Sequence, residues 1–134
     1  MDLIAQLRRD EGVEKFPYRD TVGKLTIGVG RNLDDVGLSD PEIDFLLQND
    51  IDTATAKLNQ SYPWFSALDA VRQAVLINMT FNLGSIHAFP RMRALVEAGD
   101  YEGAAGEMLD SLWARQVGSR AQRLSQQMRT GVWV

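Results

Sequence analysis

The sequence contains no cysteine and a single histidine, His87. Disulfides and thiolate metal sites are thereby excluded, and one imidazole cannot furnish a ligand cluster, so neither a metal nor another cofactor is expected. No run approaches the roughly eighteen apolar residues that would mark a membrane-spanning helix, so stable membrane insertion is not expected. The first fifteen residues lack the charged start and apolar stretch of a secretory signal, which predicts a soluble protein made in the cytoplasm. Nothing repeats, and no segment is low in complexity. There is no P-loop lysine pattern and no GxSxG elbow. Gly28-Val29-Gly30 does not extend to a dinucleotide loop, because position 33, where the third glycine would fall, is Leu33.

Charge of one sign is also not in great excess. The net charge is -4, but residues 111 to 134 hold four arginines and no acid. That patch could meet an anionic surface, although it reads equally as a solvated helix face. An acidic protein has no long-range field drawing it to nucleic acid, which is not expected as a partner.

What is present suits one domain of 134 residues, with 45% hydrophobic and 24% charged residues. Asp2 can cap a first helix with Leu3, Ile4 and Leu7 along one face, ending near Glu11 before Gly12. Residues 16 to 31 change to short β-prone pieces around the turn Asp20-Thr21-Val22-Gly23. Ser39-Asp40-Pro41-Glu42 carries a capping box for a helix to about Leu58, and Pro63 breaks the pattern. Ser66-Ala67-Leu68-Asp69 opens a second such start before VRQAVLINMTF, which should be the buried centre of a larger lobe. Further helices are expected at about 90–98, at about 101–112 capped by Asp100, and at about 119–129 capped by Ser119. The fold class is therefore α+β and mainly α, a small N-terminal hairpin or three-stranded sheet beside a larger helical lobe. The small lobe should span about 13–50, and the larger one about 60–134 together with helix 1–11.

Carboxylates carry the chemical signal. Hydrolysis of a glycosidic bond needs one protonated acid beside the leaving oxygen and one ionised group handling water. Glu11 and Asp20 could supply that pair. Glu11 lies at the negative end of a helix dipole, which suits an acid that acts protonated, and Asp20 lies in a turn open to water. On spacing alone the bland alternative stands beside this one: a surface acid, a turn former and, at Thr26, an ordinary strand residue.

"LRRDEG" followed by "YRDTVGKLTIGVG", with Glu11, Asp20 and Thr26 separated by eight and five intervening residues, resembles the phage-type lysozymes of glycoside hydrolase family 24. The likeness continues through "SALDAVRQAVLINMTFNLG" and "SLWARQVGSRAQR" to "MRTGVW", nearly the whole chain in order. The resemblance implies a two-lobed muramidase acting on the alternating N-acetylmuramic acid and N-acetylglucosamine of peptidoglycan glycan strands. Glu11 then looks like the general acid, while Asp20 and the Thr26 hydroxyl place the attacking water, giving inversion. Arg120 falls where the family pairs an arginine with the catalytic acid, and Arg123 where another meets the acidic neighbour, here Asp10. Both arginines also fit a simple basic last helix.

Gly30, Asn32, Phe81, Asn82 and Trp113 match substrate-binding positions. Core packing is an equal reading for Phe81 and Trp113, and a helix cap for Asn82. The segment from Gly30 to Ser39 is shorter than in the best-known members, Arg31 replaces a histidine and Asn32 a leucine, and Arg31 is expected to pair with Asp50. The resemblance implies an endolysin that waits in the host cytoplasm until the membrane is permeabilised, acting as a monomer. A lysozyme-like domain that binds without catalysis, and a lytic transglycosylase, are the rival readings.

Overall fold

The structure, a computed structural model, describes residues 2–134. The Asp2 carboxylate accepts from the Ala5 backbone N–H at 2.8 Å and starts helix α1, Leu3–Glu11, as its sequence position predicts. Gly12 stops it with φ +79°, a conformation that costs a side-chain-bearing residue about 1 kcal/mol or more. Three strands follow, β1 (Glu14–Arg19), β2 (Leu25–Gly28) and β3 (Arg31–Asn32), forming an antiparallel sheet in the order β1-β2-β3. Tyr18 pairs with Thr26, and Thr26 with Asn32 across the other edge. Between the pairs Glu14–Gly28 and Tyr18–Thr26 the register shifts, so β1 bulges. Pro17 lies within that bulge, where a residue without a backbone N–H is tolerated.

Helix α2 (Asp40–Ser61) begins with the predicted capping box. Ser39 N donates to Glu42 Oε1 at 2.8 Å, and Glu42 N donates to Ser39 Oγ at 3.4 Å. The helix runs to Ser61, one turn beyond the expected Leu58, before Pro63. A 3-10 turn at Phe65–Ala67 precedes α3 (Ala70–Leu83), whose cap is Asp69, accepting from Arg72 N. Sequence reasoning set this start at Ser66; the short turn takes up Ser66 and Ala67. Val71, Val75, Leu76, Met79 and Thr80 of α3 are buried, so it is the central helix expected.

Helices α4 (Pro90–Glu97) and α5 (Tyr101–Leu109) follow, the latter capped by Asp100 as predicted. The expected helix to residue 112 stops earlier. Ser111 intervenes as the cap of a separate α6 (Leu112–Val117), its hydroxyl oxygen accepting from Ala114 N while its proton goes to Met108 O. Helix α7 is Ser119–Thr130; Gly118, at φ +60°, stands at its N-cap in place of Ser119, whose side chain makes no cap bond.

Contacts divide the chain into two compact units, the first ending at Leu46 and the second running Leu47–Val134. In the second unit Leu58, Phe65, Leu76, Met79, Met108 and Met128 centre the core. Arg72 ties its ends together: Nε donates to Met128 O at 2.7 Å, Nη2 to Arg129 O at 3.0 Å, and the guanidinium lies 3.7 Å from the centroid of the Tyr101 ring. It thereby satisfies carbonyls that α7 leaves unpaired at its C-terminus. Among the described residues no helix is long and apolar enough to cross a membrane.

Candidate active site

Glu11 is the last residue of α1, so the helix stop at Gly12 fixes where its side chain leaves the backbone. Gly30, in the turn between β2 and β3, backs this carboxyl. A Cβ there would lie 2.8 Å from Glu11 Oε2, and Gly30 has φ +66°. The backbone conformation favours glycine, and any side chain there would push the Glu11 carboxyl aside. Sequence reasoning placed Gly30 among substrate contacts; its observed contact is with Glu11.

Asp20 and Thr26 are joined through one peptide position that sequence reasoning missed. Lys24 N donates to Asp20 Oδ1 at 2.8 Å, and Lys24 O accepts from Asp20 N and from Thr26 Oγ1, both at 2.9 Å. Val22 N donates to the same Oδ1 at 3.0 Å, and Gly23 N to Asp20 O at 3.0 Å, which closes the predicted turn. Thus one Asp20 oxygen is held by two backbone donors, while Oδ2 takes part in no hydrogen bond among the described residues. Thr26 is buried at 3% exposure in the middle strand, and its hydroxyl proton is committed to Lys24 O. What remains of that hydroxyl is acceptor capacity. Because these are main-chain contacts, no side-chain type in the sequence marked them.

Asn32, opposite Thr26 in the sheet, is engaged at both ends of its amide by Asp35: Nδ2 donates to Asp35 Oδ2, and Oδ1 accepts from Asp35 N, each at 3.0 Å. Lys24 Nζ bonds Asp35 at 3.1 Å, which raises the Lys24 pKa and lowers that of Asp35. The partner of Arg31 is Glu42 at 2.7 Å, a correction to the expected Asp50; Arg31 also donates to Gly37 O at 3.0 Å. Glu42 lies only eleven residues on and already faces the loop through its capping box. Hydrogen bonding from Arg31 first, and from Ser39 second, holds the Glu42 carboxyl down to about 2. Asp10 pairs with its neighbour Arg9 at 2.8 Å.

The remaining candidates belong to the second unit. Phe81, about half exposed, lines an apolar cavity of about 340 Å³ with Leu47, Ile51, Ile77, Asn78 and Arg120. Arg120 donates Nε and Nη2 to Asn78 Oδ1 at 3.0 and 2.7 Å, which fixes its guanidinium. Arg123 donates to Ser119 Oγ at 3.2 Å. Trp113 is a core residue at 4% exposure, packed edge-on to Phe89, with Nε1 donating to Asn82 Oδ1 at 2.8 Å. Asn82 is thereby oriented by a buried indole, and it lies inside α3, the helix cap being Gly84.

A mainly helical α+β chain with a carboxyl at the end of its first helix, and a second beside a buried threonine on a small sheet, has the make-up of a phage-type lysozyme. The sequence model of the Phage lysozyme family matches residues 8–129, and the chain belongs to that family. Among its relatives, the protein named Probable T4-type lysozyme 1 of Dictyostelium discoideum is 29% identical over 157 aligned positions, covering 93% of this chain and 92% of that protein. Probable T4-type lysozyme 2 of the same organism is 27% identical with the same coverage. The pre-baseplate central spike protein Gp5 of Enterobacteria phage T4 is 29% identical over 98% of this chain, which spans 28% of the spike protein. Alignments of 157 positions or so exceed the 134 residues here, so this chain omits segments that those relatives carry.

Proposed function

We propose that the protein is a muramidase that hydrolyses the β-1,4 bond between N-acetylmuramic acid and N-acetylglucosamine in peptidoglycan, with inversion, in the service of host-cell lysis. Glu11 protonates the leaving glycosidic oxygen. Asp20, as general base, takes a proton from a water that attacks the anomeric carbon from the opposite face, so one bond to carbon forms as the other breaks. The observation that best supports this division of labour is the Lys24 bridge. It holds Asp20 with one oxygen free of hydrogen bonds among the described residues and Thr26 with only acceptor capacity left. A water donating one proton to each keeps a lone pair for the sugar carbon.

Arg120 would pair with Glu11 and Arg123 with Asp10, as the family resemblance implies. Phe81 and Asn82 would meet the apolar face and the hydroxyl edge of a sugar, with Trp113 acting on substrate by orienting Asn82. The protein would reach the wall from the host cytoplasm after the membrane is permeabilised.

Turbidity loss of a cell-wall suspension tests the assignment. Glu11→Gln removes the proton donor at nearly constant volume and is expected to lower the rate about 10²- to 10⁴-fold with the fold intact by circular dichroism. Equal lysis by parent and variant would defeat the assignment. Mass spectrometry of the fragments separates hydrolysis, which leaves reducing ends, from transglycosylation, which leaves anhydromuramic ends.

A further inference from the structure

In the small sheet one side chain takes the place of a strand. The third strand, Arg31–Asn32, is two residues long, so the middle strand runs out of partner at its own beginning, Leu25. The Leu25 carbonyl still accepts from Leu33 N at 2.7 Å. In a regular antiparallel pair the Leu25 N–H would answer with a bond to the Leu33 carbonyl. It donates instead to Asp34 Oδ2 at 2.8 Å. The carboxylate thus acts as the next acceptor of β3, beyond the point where its backbone turns away.

The loop that carries Asp34 does not need it for closure. Val36 N donates to Asn32 O at 3.0 Å, Gly37 N to Leu33 O at 3.1 Å, and Asp35 engages both ends of the Asn32 amide. Among the described residues Asp34 spends no hydrogen bond on that loop; its carboxylate reaches back nine residues to Leu25. The same Oδ2 lies 3.9 Å from Arg19 Nη1, which donates to Gly23 O at 3.1 Å. Arg19 stands opposite Leu25 in β1 and immediately precedes Asp20. Asp34 therefore faces both the middle strand and the turn that presents Asp20.

Leu25 occupies a sensitive place. On one side is Lys24, whose N–H and C=O both bond Asp20; on the other is Thr26, whose hydroxyl donates to Lys24 O. A shift of the Leu25 main chain moves both groups at once. We propose that Asp34 is a positioning residue for Asp20 and Thr26, holding the main chain of residues 24 to 26 through the Leu25 N–H. Its link to catalysis rests on the muramidase reading; the clamp itself does not. With its side chain 43% exposed, Asp34 stabilises the fold little, so its effect belongs in the rate. Reacting groups tolerate small displacements poorly, about 10²-fold in rate for 1 Å in demanding cases.

Kinetics on soluble glycan strands, at a temperature where circular dichroism shows every variant folded, test this together with amide hydrogen exchange of the whole chain. Asp34→Ala is expected to lower kcat about tenfold with KM within about twofold of the parent, and to speed exchange at Leu25 and Lys24. Asp34→Asn, whose amide oxygen can still accept from Leu25 N, should recover most of the rate and the protection. A purely structural acid would move the melting temperature and leave kcat of the folded protein alone. Parental kcat in Asp34→Ala, or an Asn variant as impaired as the Ala variant, would overturn the positioning role. A parent that hydrolyses nothing, with faster Leu25 and Lys24 exchange in Asp34→Ala, would overturn the muramidase reading and keep the clamp.

Discussion

The proposed mechanism gives Asp20 two separable tasks, and its two oxygens divide them. Oδ1 accepts from Val22 N and Lys24 N and so builds the turn, while Oδ2 has no hydrogen bond among the described residues. In Asp20→Asn the amide oxygen can keep both backbone bonds but is no general base. It should fold as the parent does and lose about 10²- to 10⁴-fold in lysis rate. Asp20→Ala should lose the same activity and in addition about 1 kcal/mol of stability, read by urea unfolding, because two turn donors are left to water. If Asn and Ala prove equally stable, the turn-building role is wrong. Gly30 offers a second test at this scale. Gly30→Ala places a Cβ against Glu11 Oε2 at φ +66°, so it should cost about 1 kcal/mol or more and move the acid from its place. A variant with unchanged melting temperature and unchanged kcat would contradict that packing. Glu11, Asp20 and Thr26 were legible as candidates because their side chains and spacing carry the resemblance. The Lys24 bridge was not, since it uses only N–H and C=O groups that every residue has.

Caps made the helices readable. Asp2, Ser39 and Asp100 start theirs through side-chain bonds that their positions foretold, whereas α6 went unseen because the apolar residues around Trp113 continue the pattern past Ser111. The start of α2 also makes an element-scale pH prediction. Glu42 closes the capping box and pairs with Arg31 on β3, and these contacts lower its pKa from 4.5 to about 2. A carboxyl lowered on folding contributes stability that is fully present above its unfolded value and lost as pH falls through the folded one. Melting temperature should therefore decline from about pH 4.5 toward pH 2, in part through this group. Glu42→Gln should begin from a lower melting temperature at pH 6 and show a shallower decline over that window. An identical slope in the variant would mean that other carboxyls account for the acid limb; Asp35, lowered chiefly by its hydrogen bond from Lys24, shifts in the same direction and is the control to vary next. The pair's own contribution is small in any case, because both side chains are more than a third exposed to screening solvent.

At the scale of the whole molecule, two electrostatic effects of opposite sign act on approach to an anionic wall. The net charge of -4 repels it, while residues 111 to 134 present four arginines and no acid. Arg129 is paired with Glu102 at 3.2 Å, and the proposed mechanism gives Arg120 and Arg123 carboxylate partners, so the uncompensated charge of that segment rests chiefly on Arg115. Range decides which effect wins. At about 0.01 M salt the screening length is about 30 Å and the wall senses the entire protein; at 0.1 M it is about 10 Å and only the nearest charges count. Lysis is therefore expected to rise with salt at first, as the global repulsion is screened, and then to fall as the local attraction is screened in turn. Arg115→Gln should flatten the falling limb and leave the rising one. Turbidity assays from 0.01 to 0.5 M sodium chloride would show the two limbs, and a rate independent of salt across that range would mean that neither the net charge nor the basic segment governs encounter with the wall.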